Sequence, residues 1–416
     1  MKKSIVKDME LAARGHSKIE WVKEHMPVLN TVRKRFEVEQ PFKGLNVVIC
    51  LHLEAKTAYL AKVIKAGGAT VTITGSNPLS TQDDVAAALV EDGITVYAKY
   101  GSDSDEFKEH LVKALSVKPD LMIDDGGDGV SVLHAEHPEL AERLRGVCEE
   151  TTTGVVRNKA LEQSGRLKFP VLAVNDAFCK HLFDNRYGTG QSVWDGVIRT
   201  TNLIIAGKYV VIIGYGWCGK GVAKYAEGLG AKVIVTETDR IKALEAHMDG
   251  YQVMSMEEAV SYGDIFLTMT GNCDVITEKH MKKMKNGAIL ANGGHFDTEI
   301  NKTDLKKLSE THVKVRENVD EFILKDGRKL YLLAEGQLVN ISAADGNPVE
   351  IMDMTFSTQA LSLEYMNKNS ERVGNQVSIV PKEIDEEVAQ IKLDSLEIKI
   401  DSLTERQKEY LKSWDV

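Results

Sequence analysis

The chain has 416 residues, enough for two or three domains with sizeable cores. A hydrophobic fraction of 43% and a charged fraction of 27% are those of an ordinary globular protein, and a net charge of -10 without a basic run argues against nucleic acid or an anionic membrane as partner. Five cysteines, Cys50, Cys148, Cys179, Cys218 and Cys273, form no C-x-x-C pair, so no metal site or disulfide framework is signalled; with no apolar N-terminal segment, the expected location is the cytoplasm.

Over 8–36 the spacing of Met9, Leu11, Ile19, Val22, Met26, Leu29 and Val32 predicts amphipathic helix, interrupted around Gly15 and Pro27. Residues 45–51 read as a buried strand, 57–66 as a helix and 69–74 as another strand. That β-α-β unit lacks a phosphate-binding glycine motif, which suits a substrate domain. Alternation continues through 85–91, 95–98, 107–114 and 121–123.

Polar clusters then stand at element ends: Asp124-Asp125-Gly126-Gly127-Asp128, and Glu149-Glu150-Thr151-Thr152-Thr153-Gly154. Open parallel sheets bind ligands at strand C-termini, although Asp and Gly also end strands for turn chemistry alone. Further on, Asn175 and Asp176 precede Lys180, Asp184 and Asn185; Lys180 and Asp184, four apart, share one face of a helix.

Residues 209–213 predict a strand, followed by Gly214-x-Gly216-x-x-Gly219, a helical run, a second strand over 232–236, and the acid Glu237. Gly214 permits the tight turn, Gly216 admits a pyrophosphate to the backbone, and Gly219 lets helix pack on strand. Glu237 would accept from a ribose diol and repel a 2'-phosphate, which favours NAD over NADP, a choice slightly blurred by Arg240 and Lys242. Residues 259–270 read as helix then strand, and 288–291 as a strand ending in Asn292-Gly293-Gly294-His295-Phe296-Asp297, a loop expected over the nicotinamide. A helix follows Pro348 to about residue 368, and 379–416 is charged and amphipathic, as expected of a helical arm on a partner subunit.

With these motifs in order, and with Leu51-His52-Leu53, Ser80-Thr81-Gln82-Asp83 and Leu333-Ala334-Glu335-Gly336 followed by Asn340, the chain resembles the S-adenosyl-L-homocysteine hydrolases from about Val47 to Trp414. The resemblance implies an α/β fold of two Rossmann-like doubly wound domains plus a C-terminal helical arm: 1–182 and 349–378 for substrate, 190–345 for NAD, and 379–416 for oligomer contact. It implies a homotetramer, or at least an obligate dimer, with domain closure about hinges near 183–190 and 344–349. The implied reaction is redox-neutral hydrolysis: NAD oxidises the ribose 3'-carbon, the acidified 4'-proton leaves, homocysteine departs from the 5'-carbon, water adds, and the hydride returns.

On the matching positions, Lys180 would move the 3'-hydroxyl proton, with Asp184 orienting it and Glu150 holding the ribose; burial would tune the lysine downward in pKa, as suits a base. His52, Asp125 and His295 would serve the 5'-carbon. Thr151, Thr152, Thr153, Glu237 and Asn340 would contact NAD with Gly214, Gly216 and Gly219, and Asn175 and Asn185 would bind cofactor or support the site.

Departures from the family cluster on the purine pocket, formed by Glu54, Lys56, Thr57, Gln82, Asp345 and Asn347. Glu54-Ala55-Lys56-Thr57 stands where the family has Thr-x-Glu-Thr, and Asp345-Gly346-Asn347 where it has Met-Gly-His. An ammonium only donates, so Lys56 mismatches a 6-amino group and matches a 6-oxo group, and Asp345 could accept from the N1-H of hypoxanthine. S-inosyl-L-homocysteine is therefore the favoured substrate; pairing of Lys56 with Glu54 or Asp345 would leave S-adenosyl-L-homocysteine. A dehydrogenase that releases NADH and a catalytically silent homologue are the rival classes. Thr189 replaces a common cysteine, Trp217-Cys218 the usual Asp-Val and Lys242 an Asn, and the chain ends at Val416 without the family's terminal Lys/Tyr segment, so looser NAD retention is expected.

Overall fold

The computed structural model describes residues 4–414, so Asp415 and Val416 of the expected arm and the first three residues of the expected substrate domain lie outside it. Fifteen strands form two sheets among the described residues. Chain order gives β1 (Asn46–Leu51), β2 (Thr70–Gly75), β3 (Thr95–Tyr97), β4 (Leu121–Asp124), β5 (Gly146–Glu149), β6 (Val171–Ala173), β7 (Tyr209–Ile213), β8 (Lys232–Thr236), β9 (Gln252–Val253), β10 (Ile265–Thr268), β11 (Ala288–Asn292), β12 (Ser309–Arg316), β13 (Val319–Leu324), β14 (Lys329–Leu333) and β15 (Val377–Ile379).

The first sheet runs β15-β6-β5-β4-β1-β2-β3, parallel throughout. Strands β1 and β4 are near-continuous apolar runs, and β2, though it alternates threonine with Val71 and Ile73, is buried after its first residue, as in a sheet covered on both faces. The second runs β12-β13-β14-β11-β10-β7-β8-β9, parallel except for the β12-β13-β14 meander at one edge. The strand order reverses between β4 and β1 in the first sheet and between β10 and β7 in the second, and ligand crevices open at such points, beyond the strand C-termini.

Pro27, without an N-H to give, starts the second N-terminal helix Pro27–Glu39. The expected break at Gly15 does not occur, since Gly15 lies within the helix Ala12–Glu24. Its role is closeness: a Cβ there would sit 2.0 Å from the carbonyl oxygen of Asp84. The chain passes from one sheet to the other through Phe178–Lys180 and a wide π-type turn, His181–Gly188, then returns between Val339–Ser342 and the helix Val349–Val373. That last helix buries Met352, Phe356, Ala360, Leu363 and Met366 in the first core. The C-terminal residues form β15, which closes the edge of the first sheet, and helices Lys382–Ser395 and Glu405–Lys412.

Candidate active site

The C-terminal ends of both sheets open into one cavity of about 1240 Å³. His52 follows β1, Asp125 follows β4, Glu150 follows β5, Gly214 follows β7 and His295 follows β11, so the two switch points face a common space. Parallel strands deliver these residues because each must end before the chain turns into its crossover helix.

On the second sheet, Gly214 adopts φ +98°, Gly216 has open space where a Cβ would lie, and a Cβ at Gly219 would meet the Gly214 carbonyl at 2.0 Å. The Glu237 carboxylate accepts from the backbone N-H of Tyr215 at 2.7 Å and of Thr238 at 2.6 Å. Burial pushes this carboxyl up, but backbone N-H groups of Asp239, Tyr215 and Thr238 outweigh it and hold the net value below the ordinary carboxylate range. Elsewhere on the cavity wall, Asn340 Oδ1 is buried and has no donor, while its Nδ2 donates to Ser192 Oγ at 3.2 Å. A bare glycine turn, an ionised acid beyond β8 and an unanswered amide acceptor in one cavity fit the diphosphate, ribose and carboxamide of NAD.

On the first sheet, Lys180 Nζ donates to Asn185 Oδ1 at 2.7 Å and lies 3.0 Å from Asp184 Oδ2 and 3.3 Å from Glu150 Oε1. Burial lowers the lysine, yet Asp184 and Glu150 together outweigh burial, so the ammonium is held above its ordinary value. This corrects the expectation of a lysine tuned downward. Burial instead pushes the Glu150 carboxyl up, to about 7, although Lys180 opposes the rise. Asp184 Oδ2 also accepts from Thr355 Oγ1 at 3.0 Å, and Glu150 Oε2 from Gln359 Nε2 at 2.5 Å. Asn185 donates to Asn175 Oδ1 at 3.0 Å, which also accepts from Thr152 Oγ1 at 3.2 Å. Thr151 caps the helix Thr152–Gln163 by accepting from the Gly154 N-H, and all three threonines line the cavity.

The third group is His52, Asp125 and His295. Ser80 Oγ donates to the Asn77 carbonyl, so it is free to accept from His52 Nδ1-H at 2.7 Å. Nε2 is then the ring atom that faces Asp125 Oδ2 across 3.4 Å, and burial lowers the ring's affinity for a second proton. Asp125 Oδ2 accepts from Ser76 Oγ at 2.8 Å, while Oδ1 is buried, unpaired and 3.7 Å from His295 Nδ1. Ligand atoms of these three residues lie within 4.8 Å of one another, the one such His/carboxylate group among the described residues. Two imidazoles around one buried carboxylate can take and return protons at a carbon held between them.

The purine-pocket residues divide. Glu54, Lys56, Thr57 and Asn347 line the cavity; Gln82 and Asp345 do not. Gln82 Oε1 instead accepts from Lys18 Nζ at 2.9 Å. The Asp345 side chain is 78% exposed and turned outward to Arg199, 3.2 Å away, which withdraws the carboxylate expected to meet the base. Only its carbonyl faces inward, accepting from Lys56 Nζ at 2.9 Å, and that ammonium also pairs with Glu54 Oε2 at 2.9 Å. Thr355 and Gln359 went unnoticed in the sequence; the signal was polar residues one turn apart, Thr355, Thr358, Gln359 and Ser362, inside the apolar stretch of the helix Val349–Val373.

The family model described as S-adenosyl-L-homocysteine hydrolase matches residues 3–139, and the one described as S-adenosyl-L-homocysteine hydrolase, NAD binding domain, matches residues 185–346. An adenosylhomocysteinase of Pyrococcus abyssi is 57% identical over 409 residues, 98% of this chain and 97% of the relative. The chain belongs to the S-adenosyl-L-homocysteine hydrolase family. As a member it is an NAD-binding hydrolase of a homocysteine thioether. The family is divided at this level of similarity: an S-inosyl-L-homocysteine hydrolase of Methanocaldococcus jannaschii is 56% identical over 409 residues, 98% of each chain, and one of Methanococcus maripaludis is 54% identical over 411, 99% of each. No helix among the described residues is long and apolar enough to cross a membrane.

Proposed function

We propose that this hydrolase acts on S-inosyl-L-homocysteine, releasing inosine and L-homocysteine, in preference to S-adenosyl-L-homocysteine. One observation carries the preference. Lys56 lines the cavity with two of its three N-H groups committed, to Glu54 Oε2 and the Asp345 carbonyl, and a third available to a 6-oxo group. The acceptors nearest to it are occupied: Glu54 receives Lys56 Nζ and the backbone N-H groups of Lys56 and Thr57, so a 6-amino group would find a donor instead of an acceptor. Such a mismatch costs about 1–3 kcal/mol.

The chemistry that bound NAD supplies is reversible oxidation of the ribose 3'-carbon. Glu150 holds the ribose hydroxyls, and Lys180 moves the 3'-hydroxyl proton. Lys180 starts as an ammonium beside Asp184 and Glu150, and must shed its proton before it can act as the base, so the rate should rise with pH. Asp184 orients Lys180, and His52, Asp125 and His295 handle the protons at the 4'- and 5'-carbons. Residues 1–182 with 349–378 would act as the substrate domain and 190–345 as the NAD domain. The exposed Leu396, Ile398, Ile400, Leu403, Tyr410 and Leu411 support the 379–416 arm as a contact in a cytoplasmic homotetramer, an assembly that light scattering would contradict by giving a monomer mass.

The test is homocysteine release by NAD-loaded protein with both thioethers. The expected result is a kcat/KM at least about tenfold higher for the inosyl compound, inverted by Lys56→Glu. A second reading has its own observation: the Lys56–Glu54 pair, both side chains under a tenth exposed, neutralises the ammonium internally. A preference for the adenosyl compound in the unaltered protein would favour that reading and reject the first.

A further inference from the structure

Asn347 lies where the chain returns from the second sheet to the first, immediately before Pro348 and the helix Val349–Val373. Its Nδ2 donates to Asp184 Oδ1, while its Oδ1 accepts from Ser192 Oγ at 2.6 Å and from Asn340 Nδ2 at 3.4 Å. A carboxylate on one side and two donors on the other allow one amide orientation, since a flipped amide would set oxygen against oxygen. Asp184 uses its other oxygen, Oδ2, for Lys180 and Thr355. On the far side, Asn340 keeps its buried Oδ1 unpaired in the cavity.

An unbroken polar chain therefore runs Asn340, Asn347, Asp184, Lys180, from the cofactor side of the cavity to the lysine. It also ties the two passages between the sheets together: Asn347 comes from the return passage, Asp184 from the π-type turn of the outgoing one. Contact there is close, for a Cβ on Gly188 would sit 3.0 Å from Asn347 Cγ.

We propose that Asn347 is a positioning residue, which holds Asp184 in the orientation that pairs with Lys180 and joins that pair to Asn340. The lysine is then set for its work only when both passages are docked on each other. This rests on the roles proposed above for Lys180 and Asp184. The ionisable groups that face Lys180 are Asp184 and Glu150, with the thiol of Cys218 from the glycine turn. None of them lies on the element that carries Asn347.

Asn347→Asp keeps the shape and exchanges the N-H donor for a carboxylate, which must repel Asp184 and help Lys180 keep its proton. Asn347→Ser removes the donor without adding charge. For Asn347→Asp the expected result is a kcat at neutral pH lower by about tenfold or more, KM within about threefold, and a pH–kcat rise displaced to higher pH. Asn347→Ser lowers kcat similarly without that displacement. NAD affinity, read from tryptophan fluorescence of cofactor-stripped protein, should weaken several-fold in Asn347→Ser, where Asn340 loses its neighbour, and hold in Asn347→Asp, which keeps an oxygen to accept from it. If Asn347→Asp does not fold, Asn347→Ser decides alone through kcat and NAD affinity. Variants indistinguishable from an active parent in kcat, pH profile and NAD affinity would overturn the inference alone. A parent that releases no homocysteine from either thioether would overturn the functional reading, and the inference with it.

Discussion

Lys180 carries more surrounding negative charge than burial can offset, with Asp184 at 3.0 Å and Glu150 at 3.3 Å. A reaction that needs the neutral amine must therefore gain rate as pH rises. Asp184→Asn removes one of the two carboxylates, so burial counts for more and the amine is freed earlier. The rise in kcat with pH should move to lower pH, while the maximum falls about a hundredfold because the amine is less well oriented. A pH–kcat profile checks both, and a rise that stays put or moves upward would contradict the assignment. The lysine and its partner were legible in the sequence because four-residue spacing is a local fact, as were Gly214, Gly216 and Gly219. Asp345 and Gln82 were not. Their side chains answer to Arg199 and Lys18, residues distant in sequence, and nothing local to positions 345 or 82 announces those partners.

The helix Trp217–Gly228 joins the glycine turn to the π-type turn that carries Asp184, and glycine makes the junction possible. A Cβ at Gly221 would fall 1.7 Å from the Arg186 carbonyl oxygen, whereas one at Gly228 would meet nothing within 4 Å. Gly221→Ala should force the two elements apart, cost about 1–3 kcal/mol of stability and impair activity. Gly228→Ala, on an exposed turn of the same helix, should stabilise by about 0.4–1 kcal/mol and leave activity alone. Thermal melts of the pair provide the comparison, and equal effects would show that close approach is not what Gly221 serves. Periodicity located β1, β2, β3, β4, β7, β8, β10 and β11 because each is a buried run beside an amphipathic helix, but not the short parallel strands β6 and β9. It gave no warning of the β12-β13-β14 meander or of β15 joining the first sheet, since edge strands owe their position to the sheet they join. Gly15 was misread for a related reason: what it does depends on Asp84, which only the fold brings near.

At the scale of the whole molecule, two sheets, parallel but for one edge meander, turn their strand C-termini toward one cavity, where the proposed function would bring a nucleoside on the first to a nicotinamide on the second. The double alternation of strand and helix made the two sheets readable from the sequence, though not the cavity they share. How the halves are clasped was not readable, because Asn347, Ser192, Asp184 and Asn340 meet only when both passages between the sheets are in place. On the proposed function, an oxidation enclosed in such a cavity and later reversed would consume no cofactor, which would separate this hydrolase from a dehydrogenase built on similar sheets. The most direct measurement is homocysteine formed from S-inosyl-L-homocysteine by NAD-loaded protein, followed together with absorbance at 340 nm. Many equivalents of homocysteine per active site, with reduced cofactor never exceeding one per site, is the predicted result. Reduced cofactor accumulating in step with product, or no homocysteine at all, would contradict it.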